Sequence, residues 1–321
     1  MDEGLRRGQH IPVMLGPVLE LLGCRPGGIY VDATLGGGGY SRAILDRSAP
    51  EGVVLGLDWD REAIDRVRER LGGYAGRFIA EKADYADIRT VLLKHRLDAV
   101  DGIVADLGLS SFQIEDPERG FSFSLGGPLD MRMNRDLSVT AADLVNSLSE
   151  QDLANLIFRY GEERLSRRIA RAIAAERKKR RITETLELAE LVRRAVPKTK
   201  DSARIHPATR TFQALRIAVN HELESLERFL PEALAALKPG GRLCVVAFHS
   251  LEDRIVKETF RKWAQSCRCP RELAVCECGG RPLVRLLSRK ALKPSLSEVE
   301  SNARARSARL RAVEKVNGMG L

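Results

Sequence analysis

The stretch Val31-Asp32-Ala33-Thr34-Leu35-Gly36-Gly37-Gly38-Gly39-Tyr40-Ser41 decides the fold. Gly28 to Asp32 reads as a short buried strand, and the chain from about Ser41 to Asp46 reads as a helix. Glycines between a strand and a helix allow positive φ in the turn and let the backbone approach a ligand closely. Working outward, Val53 to Asp58 is a second strand, with a charged amphipathic helix from Arg61 to Leu71 behind it. A weaker strand at Arg77 to Glu81, a helix at Ile88 to His95 and a clear strand at Val100 to Asp106 follow. Strands alternating with helices at this spacing predict right-handed crossovers and a parallel sheet.

The ends of these strands carry the chemistry. Asp58 lies twenty residues beyond Gly38, at the tip of the second strand, where a carboxylate can accept both hydroxyl protons of a ribose. The dinucleotide fingerprint wants a third glycine where Ser41 stands, and no Walker-type lysine is present to receive a phosphate chain. Asp32, just before the glycines, would repel a pyrophosphate but suits a sulfonium and an ammonium. S-adenosylmethionine therefore fits better than a nicotinamide nucleotide. Tyr85, after the third strand, offers a ring for an adenine, or equally for local packing on the sheet edge. Asp106 closes a strongly apolar strand beside the expected switch point of the sheet, which favours a functional carboxylate over a cap.

From Leu107 to about Lys200 no strand-like run appears. A Gly/Pro/Phe-rich loop from Asp116 to Pro128 leads to helical stretches at Ala141 to Asn146, Glu150 to Tyr160, Glu163 to Arg177 and Thr185 to Ala195. Thr140, Ser149 and Thr183 are candidate N-caps. Arg210 to Leu237 reads as one long helix with a proline interruption, Lys238 to Gly241 as a turn, and Arg242 to Phe248 as a buried strand. A helix from about Leu251 to Trp263 and an antiparallel pair formed by Leu283 to Arg289 and Ser307 to Val313 complete the pattern. The expected organisation is a sheet domain over 1–110, a helical insert over 111–209 and a second part of the sheet domain over 210–321.

The chain of 321 residues carries 53 Lys and Arg against 44 Asp and Glu, a net of +9. The excess is localised. Residues 159–216 hold 17 basic and 7 acidic side chains, and residues 281–321 hold 10 and 3, so the remainder is acidic. Two basic zones on an acidic protein favour a polyanion met by particular surfaces, although either charge run taken alone reads more readily as a solvated Arg-rich helix face. The hydrophobic content of 44% supports a real core and excludes disorder and a disulfide miniprotein. The absence of a long apolar run or a leader-like N-terminus gives the expectation of a cytoplasmic protein with no membrane partner. Cys267, Cys269, Cys276 and Cys278 crowd together, but zinc sites usually space their thiolates as C-x2-C, so no metal is assigned.

Several strings make the chain similar to a known family: HIPVML (His10 to Leu15), VDATLGGGGYSRAIL (Val31 to Leu45), DGIVADLGLSSFQ (Asp101 to Gln113), ERGFSF (Glu118 to Phe123), GPLDMRM (Gly127 to Met133) and YGEER (Tyr160 to Arg164). HPATRTFQALRIAVNHEL (His206 to Leu223), LKPGGRL (Leu237 to Leu243), FHSLEDRIVK (Phe248 to Lys257) and SNARARSARLR (Ser301 to Arg311) extend them over almost the entire chain. The sequence resembles the bacterial small-subunit ribosomal RNA cytidine-N4 methyltransferases, also called MraW or RsmH. The resemblance implies an α/β fold, a class I (Rossmann-like) S-adenosylmethionine-dependent methyltransferase sheet with an inserted all-helical domain. It implies methylation of the N4 amine of a cytidine in 16S rRNA, met in the small ribosomal subunit; a homodimer is left open. Cofactor positions carry over to Gly38, Gly39, Tyr40, Asp58, Tyr85, Asp106 and Gln113. Tyr40 stands where the family often has His, Tyr85 where Phe is common, and Ala303 where Pro is frequent.

The amine of cytosine is a poor nucleophile because its lone pair is delocalised into the ring, so an acceptor for its protons and close placement matter more than a strong base. Asp106 is the expected catalytic residue, in Asp106-Leu107-Gly108-Leu109 where amino methyltransferases often carry Asp/Asn-Pro-Pro-aromatic. His249 and Ser250, with Glu252 and Asp253, are candidates for reading the base, against a capped helix start with Ser250 as N-cap. His206 and Arg210, with Arg216, are candidates for holding phosphates, against ordinary packing. Arg164, Arg167, Arg168 and Arg171 at helical spacing, and the run Arg177 to Arg181, are the expected RNA footprint. The competing readings are an amino methyltransferase of another nucleic acid and a non-catalytic cofactor-binding RNA module.

Overall fold

A computed structural model describes residues 12–74, 76–197, 206–267, 269, 273, 275 and 280–316. The chain divides into two compact units, one of residues 1–108 and 224–321, the other of residues 109–223.

The first unit is built on a seven-stranded sheet of β1 (Ile29–Asp32), β2 (Val53–Asp58), β3 (Phe78–Lys82), β4 (Val100–Asp106), β5 (Leu237–Ala247), β6 (Val284–Leu286) and β7 (Arg309–Lys315). The order is β3-β2-β1-β4-β5-β7-β6. β1 to β5 pair in parallel, while β7 runs antiparallel to both β5 and β6. This is the class I methyltransferase arrangement expected from the sequence. β4 is buried along almost its whole length, as a parallel strand covered on both faces must be. On one face α1 (Leu15–Leu22), α2 (Gly39–Arg47) and α3 (Arg61–Arg70) contribute Val18, Ile44, Ile64 and Val67 to a buried cluster with Val54, Val104 and Val246. On the other face lie α4 (Ile88–Lys94), whose Leu92 joins Leu55, Ile103 and Val245, and, after the second unit in the chain, Phe229 and Val256 from two later helices.

The second unit holds α5 (Ser111–Glu115), α6 (Ala141–Ser147), α7 (Glu150–Gly161), α8 (Ser166–Arg177), α9 (Thr185–Ala195) and α10 (Thr209–Asn220). Ile157, Ile169, Ile173, Leu188, Val192 and Leu215 are fully buried in its core. Thr140 and Ser149 cap α6 and α7 as expected, through Asp143 N–H at 3.1 Å and Asp152 N–H at 3.0 Å. Thr183 does not cap α9. The N-cap is Glu184, and the Thr183 carbonyl instead accepts from Leu129 N–H at 2.7 Å.

The helix expected over Arg210 to Leu237 is two. α10 ends at His221, a non-glycine residue at φ 50°, and α11 (Glu222–Ala236) begins directly after it. Pro231 sits inside α11 without ending it. The unit boundary therefore falls at 223/224, and α10, expected in the sheet domain, belongs to the helical unit. Lys238 to Gly241, expected as a turn, lies within β5 as a bulge: Leu237 pairs with Val100, and the next pair is Arg242 with Gly102. Among the described residues, the remaining α-helices of the first unit are α12 (Ser250–Trp263) and α13 (Leu296–Ser301).

Candidate functional site

In an open parallel sheet, ligands bind beyond the carboxyl ends of the strands where the order reverses, here between β1 and β4. Three aspartates end strands there. Asp32 closes β1 and is fully buried; its Oδ2 accepts from Ser41 N–H at 3.1 Å and from Ser41 Oγ at 2.7 Å in the first turn of α2, while its Oδ1 has no partner. Burial pushes its carboxyl up to about 7. Asp58 closes β2 and accepts from the N–H groups of Gly36 at 2.8 Å and Asp60 at 2.9 Å; burial raises it to about 6. Asp106 closes β4. Its N–H donates to Thr34 Oγ1 at 2.7 Å, and its carboxylate Oδ1 is buried with no partner. Desolvation first, then the charges of Asp32 and Glu252, hold the Asp106 carboxyl well above the usual carboxylate range.

The glycine turn between β1 and α2 is held in place by that same chemistry. Gly36, at φ 49°, is fixed by Asp58, and Gly38, at φ 75°, is the N-cap of α2. A Cβ on Gly38 would stand 2.6 Å from Val67 Cγ1, so both conformation and packing demand glycine. Gly39 has Pro12 against it: a Cβ there would lie 2.3 Å from Pro12 Cγ. Among the described residues, no lysine or arginine donates to Asp32, Asp58 or Asp106. A site with two orphaned buried carboxylate oxygens and no built-in cation fits a ligand that brings positive charge. Asp58 retains lone pairs beyond those its backbone partners use, which fits ribose hydroxyls. S-adenosylmethionine, with sulfonium, ammonium and ribose, meets each of these requirements.

The other expected residues of the first unit are placed as follows. The Tyr40 ring is buried in the core and its hydroxyl donates to the Val13 carbonyl, so it offers a ligand its backbone rather than an open ring face. Tyr85 is half-buried, edge-on to Phe229 with centroids 4.8 Å apart. At the end of β5 the helix cap is His249, one residue before the expected Ser250. His249 Nδ1 accepts from Glu252 N–H at 3.4 Å, and Glu252 Oε2 accepts from Phe248 N–H at 2.8 Å and His249 N–H at 3.2 Å. Ser250 is exposed on the first turn of α12. Asp253 does not face a base; it forms a two-pronged ion pair with Arg311 of β7 at 2.7 and 3.1 Å.

A family model described as the MraW methylase family matches residues 7–316. The chain belongs to the MraW methylase family. It is 64% identical over 307 residues, 96% of each chain, to the ribosomal RNA small subunit methyltransferase H of Syntrophobacter fumaroxidans. To the protein of that name from Geobacter sulfurreducens it is 52% identical, over 96% of this chain and 99% of that one. Among solved structures, an rRNA methylase from Streptococcus thermophilus aligns with a TM-score of 0.40 at 10% identity, over 94% of each chain.

In the helical unit of this MraW methylase, Gln113 is buried and forms a capping box with Ser110, accepting from Ser110 N–H at 3.1 Å. The His206 ring stacks on Phe123 with centroids 4.7 Å apart, and its Nδ1 accepts from Ala208 N–H at 3.2 Å. Arg210 is exposed, with Glu163 Oε2 at 3.7 Å. Arg216 is not available for a phosphate, because Glu222 binds it with two contacts of 2.8 Å. The arginine stripe is exposed as expected: Arg164, Arg167, Arg168 and Arg171 face outward while Ile169 and Ile173 face the core. The run Arg177 to Arg181 is largely tied down, Arg177 to the Val145 carbonyl, Lys179 to Glu176, Arg180 to Glu187 and Arg181 to Asp143. Cys276 and Cys278 lie outside the described residues, so the thiolate cluster has no structural account.

Sequence reasoning missed a polar lock in this unit. Asn220 donates to the Met131 carbonyl at 2.7 Å and the Arg216 carbonyl at 2.8 Å, and accepts from Met133 N–H at 2.7 Å. Arg119, nearly fully buried, donates to the Met133 carbonyl at 2.7 Å. Together they hold the loop carrying GPLDMRM. The available signal was an arginine beside Gly120, whose φ of 69° and close approach to the Pro128 carbonyl mark a buried turn.

Proposed function

We propose that the chain transfers the methyl group of S-adenosylmethionine to the exocyclic N4 amine of a cytidine in 16S ribosomal RNA. The observation that carries the reading is the pair of orphaned, buried carboxylate oxygens on Asp32 and Asp106 at the tips of β1 and β4. Bound there, S-adenosylmethionine supplies an electrophilic methyl on a cationic sulfur. Asp58 holds the ribose hydroxyls and Gly38 and Gly39 let the backbone approach; Tyr85, and Gln113 of the helical unit, are the further cofactor candidates. Asp106 accepts a proton-bearing edge of the amine and fixes the nitrogen in line, which suits a nucleophile limited by placement. His249 and Ser250, at the end of β5, are the candidates for the base, and His206 and Arg210 of the helical unit are the candidates for RNA phosphates. The relatives named ribosomal RNA small subunit methyltransferase H support the rRNA substrate, and the exposed stripe Arg164, Arg167, Arg168 and Arg171 supports a phosphate backbone as partner. A flipped or single-stranded cytidine satisfies the need to bring the amine to the sulfur.

The test is transfer of tritium from labelled S-adenosylmethionine to small-subunit RNA, naked and in the assembled subunit, with the modified nucleoside identified by mass. N4-methylated cytidine in either arm is expected. Label on ribose, on uridine or on no RNA contradicts the proposal.

A further inference from the structure

Away from the strand-tip carboxylates, the first unit contains a cavity of about 390 Å³ bounded by α12, the segment after β6 and the start of β7. Its wall carries Lys257, Arg261, Arg289, Lys290, Lys293 and Arg309. Among the described residues, none of these six has an acidic partner. Arg311 also lines it, and Asp253 already neutralises that side chain. Phe260, Leu286 and Ser288 also line the cavity, and the Ser288 hydroxyl oxygen is buried without a hydrogen-bond partner. Gathered cations around an open volume repel one another, and an anion among them removes that repulsion while gaining from each charge.

Its position says which anion. Arg309 pairs with Ala247 at the carboxyl end of β5, and the preceding β5 residue, Val246, pairs with Asp106. Arg309 and Asp106 thus stand at the same end of the sheet, two strand spacings or about 10 Å apart along the backbone, with their side chains on opposite faces of it. The volume exceeds what one free phosphate needs, and the cavity draws together much of the surplus charge of residues 281–321. We propose that this cavity holds a backbone phosphate of the RNA strand whose base enters the methyl-transfer site. The inference rests on the RNA reading above and adds to it a second, sequence-blind anchor.

The test uses the full chain and naked small-subunit rRNA. Arg289→Gln, Lys290→Gln and Arg309→Gln are combined; all three side chains are exposed, so folding should be retained, with S-adenosylmethionine binding by calorimetry as the control. Each lost single-strand phosphate contact lowers the salt slope by about 0.7, so the triple variant, losing the one phosphate held in the cavity, should lose about 0.7 from the slope. Its fall in RNA affinity between about 50 and 200 mM salt should then be about 2.6-fold smaller than that of the wild type. Arg309→Lys, which keeps the charge, should keep the slope. A triple variant with the wild-type slope overturns the inference, including the case in which calorimetry shows inorganic phosphate binding the wild-type cavity. If the wild type methylates rRNA while the triple variant's slope is unchanged, only this inference fails; if the wild type neither binds nor methylates RNA, the parent reading fails with it.

Discussion

Replacing Asp106 with asparagine keeps the shape of the side chain and removes the charge, and its two consequences run in opposite directions. In the ligand-free protein the buried carboxylate has an unpartnered Oδ1 and lies in the field of Asp32 and Glu252. Its raised pKa means that the folded state holds the proton more tightly than the unfolded chain. The stability this contributes is complete below about pH 4 and is lost as pH rises through the raised folded value. Asp106→Asn abolishes that loss, so the variant should fold normally and melt at or above the wild-type temperature at pH 8. In methyl transfer the same change removes a charged acceptor, worth about 1.5–3 kcal/mol. At 1.36 kcal/mol per factor of ten, the rate should fall about 10- to 150-fold. The assay is single-turnover methylation with saturating RNA, paired with thermal unfolding. A rate near wild type in a folded variant would refute the role given to Asp106; a lower melting temperature at pH 8 would refute the account of its burial.

Two further substitutions probe the frame around the site. Gly38→Ala forces a Cβ at φ 75° to within 2.6 Å of Val67 Cγ1, so S-adenosylmethionine binding measured by calorimetry should weaken at least tenfold, whereas Gly76→Ala, at φ 80° with open space around it, should leave binding unchanged. Asn220→Ala strips three hydrogen bonds from the loop around Met131 and Met133, and should cost about 3 kcal/mol in denaturant unfolding; a loss below about 1 kcal/mol would show that solvent replaces those bonds.

Much of the sheet was legible because its signals are local. β2 and β4 have the bounds that their apolar runs and terminal aspartates predict, and α9 runs from Thr185 to Ala195 as its periodicity predicts. Less was legible where one residue overrides a pattern. The break between α10 and α11 depends on His221 adopting a left-handed conformation, which its side chain does not announce, whereas Pro231, the conspicuous breaker, sits in α11 without breaking it. α5 and α13 are too short to establish a period. At the site, the aspartates could be named from their places at strand ends, but their partners could not. That Tyr40 is turned into the core and that Asp253 and Arg216 are held by Arg311 and Glu222 are consequences of packing between distant segments.

The most direct measurement on the strand-tip site is calorimetry of S-adenosylmethionine binding from pH 6 to pH 8, repeated in buffers of different ionisation enthalpy. Asp32, raised to about 7, is substantially protonated in the ligand-free protein near pH 6, and Asp106 is shifted in the same direction. A cation favours their ionised forms, so binding should release protons and tighten with rising pH, by up to about tenfold per pH unit per proton released below the free-state pKa. Proton release that fades toward pH 8, with affinity levelling there, is the predicted result. Binding with no linked proton and no dependence on pH over this range would contradict the assignment of these carboxylates to a cationic methyl donor.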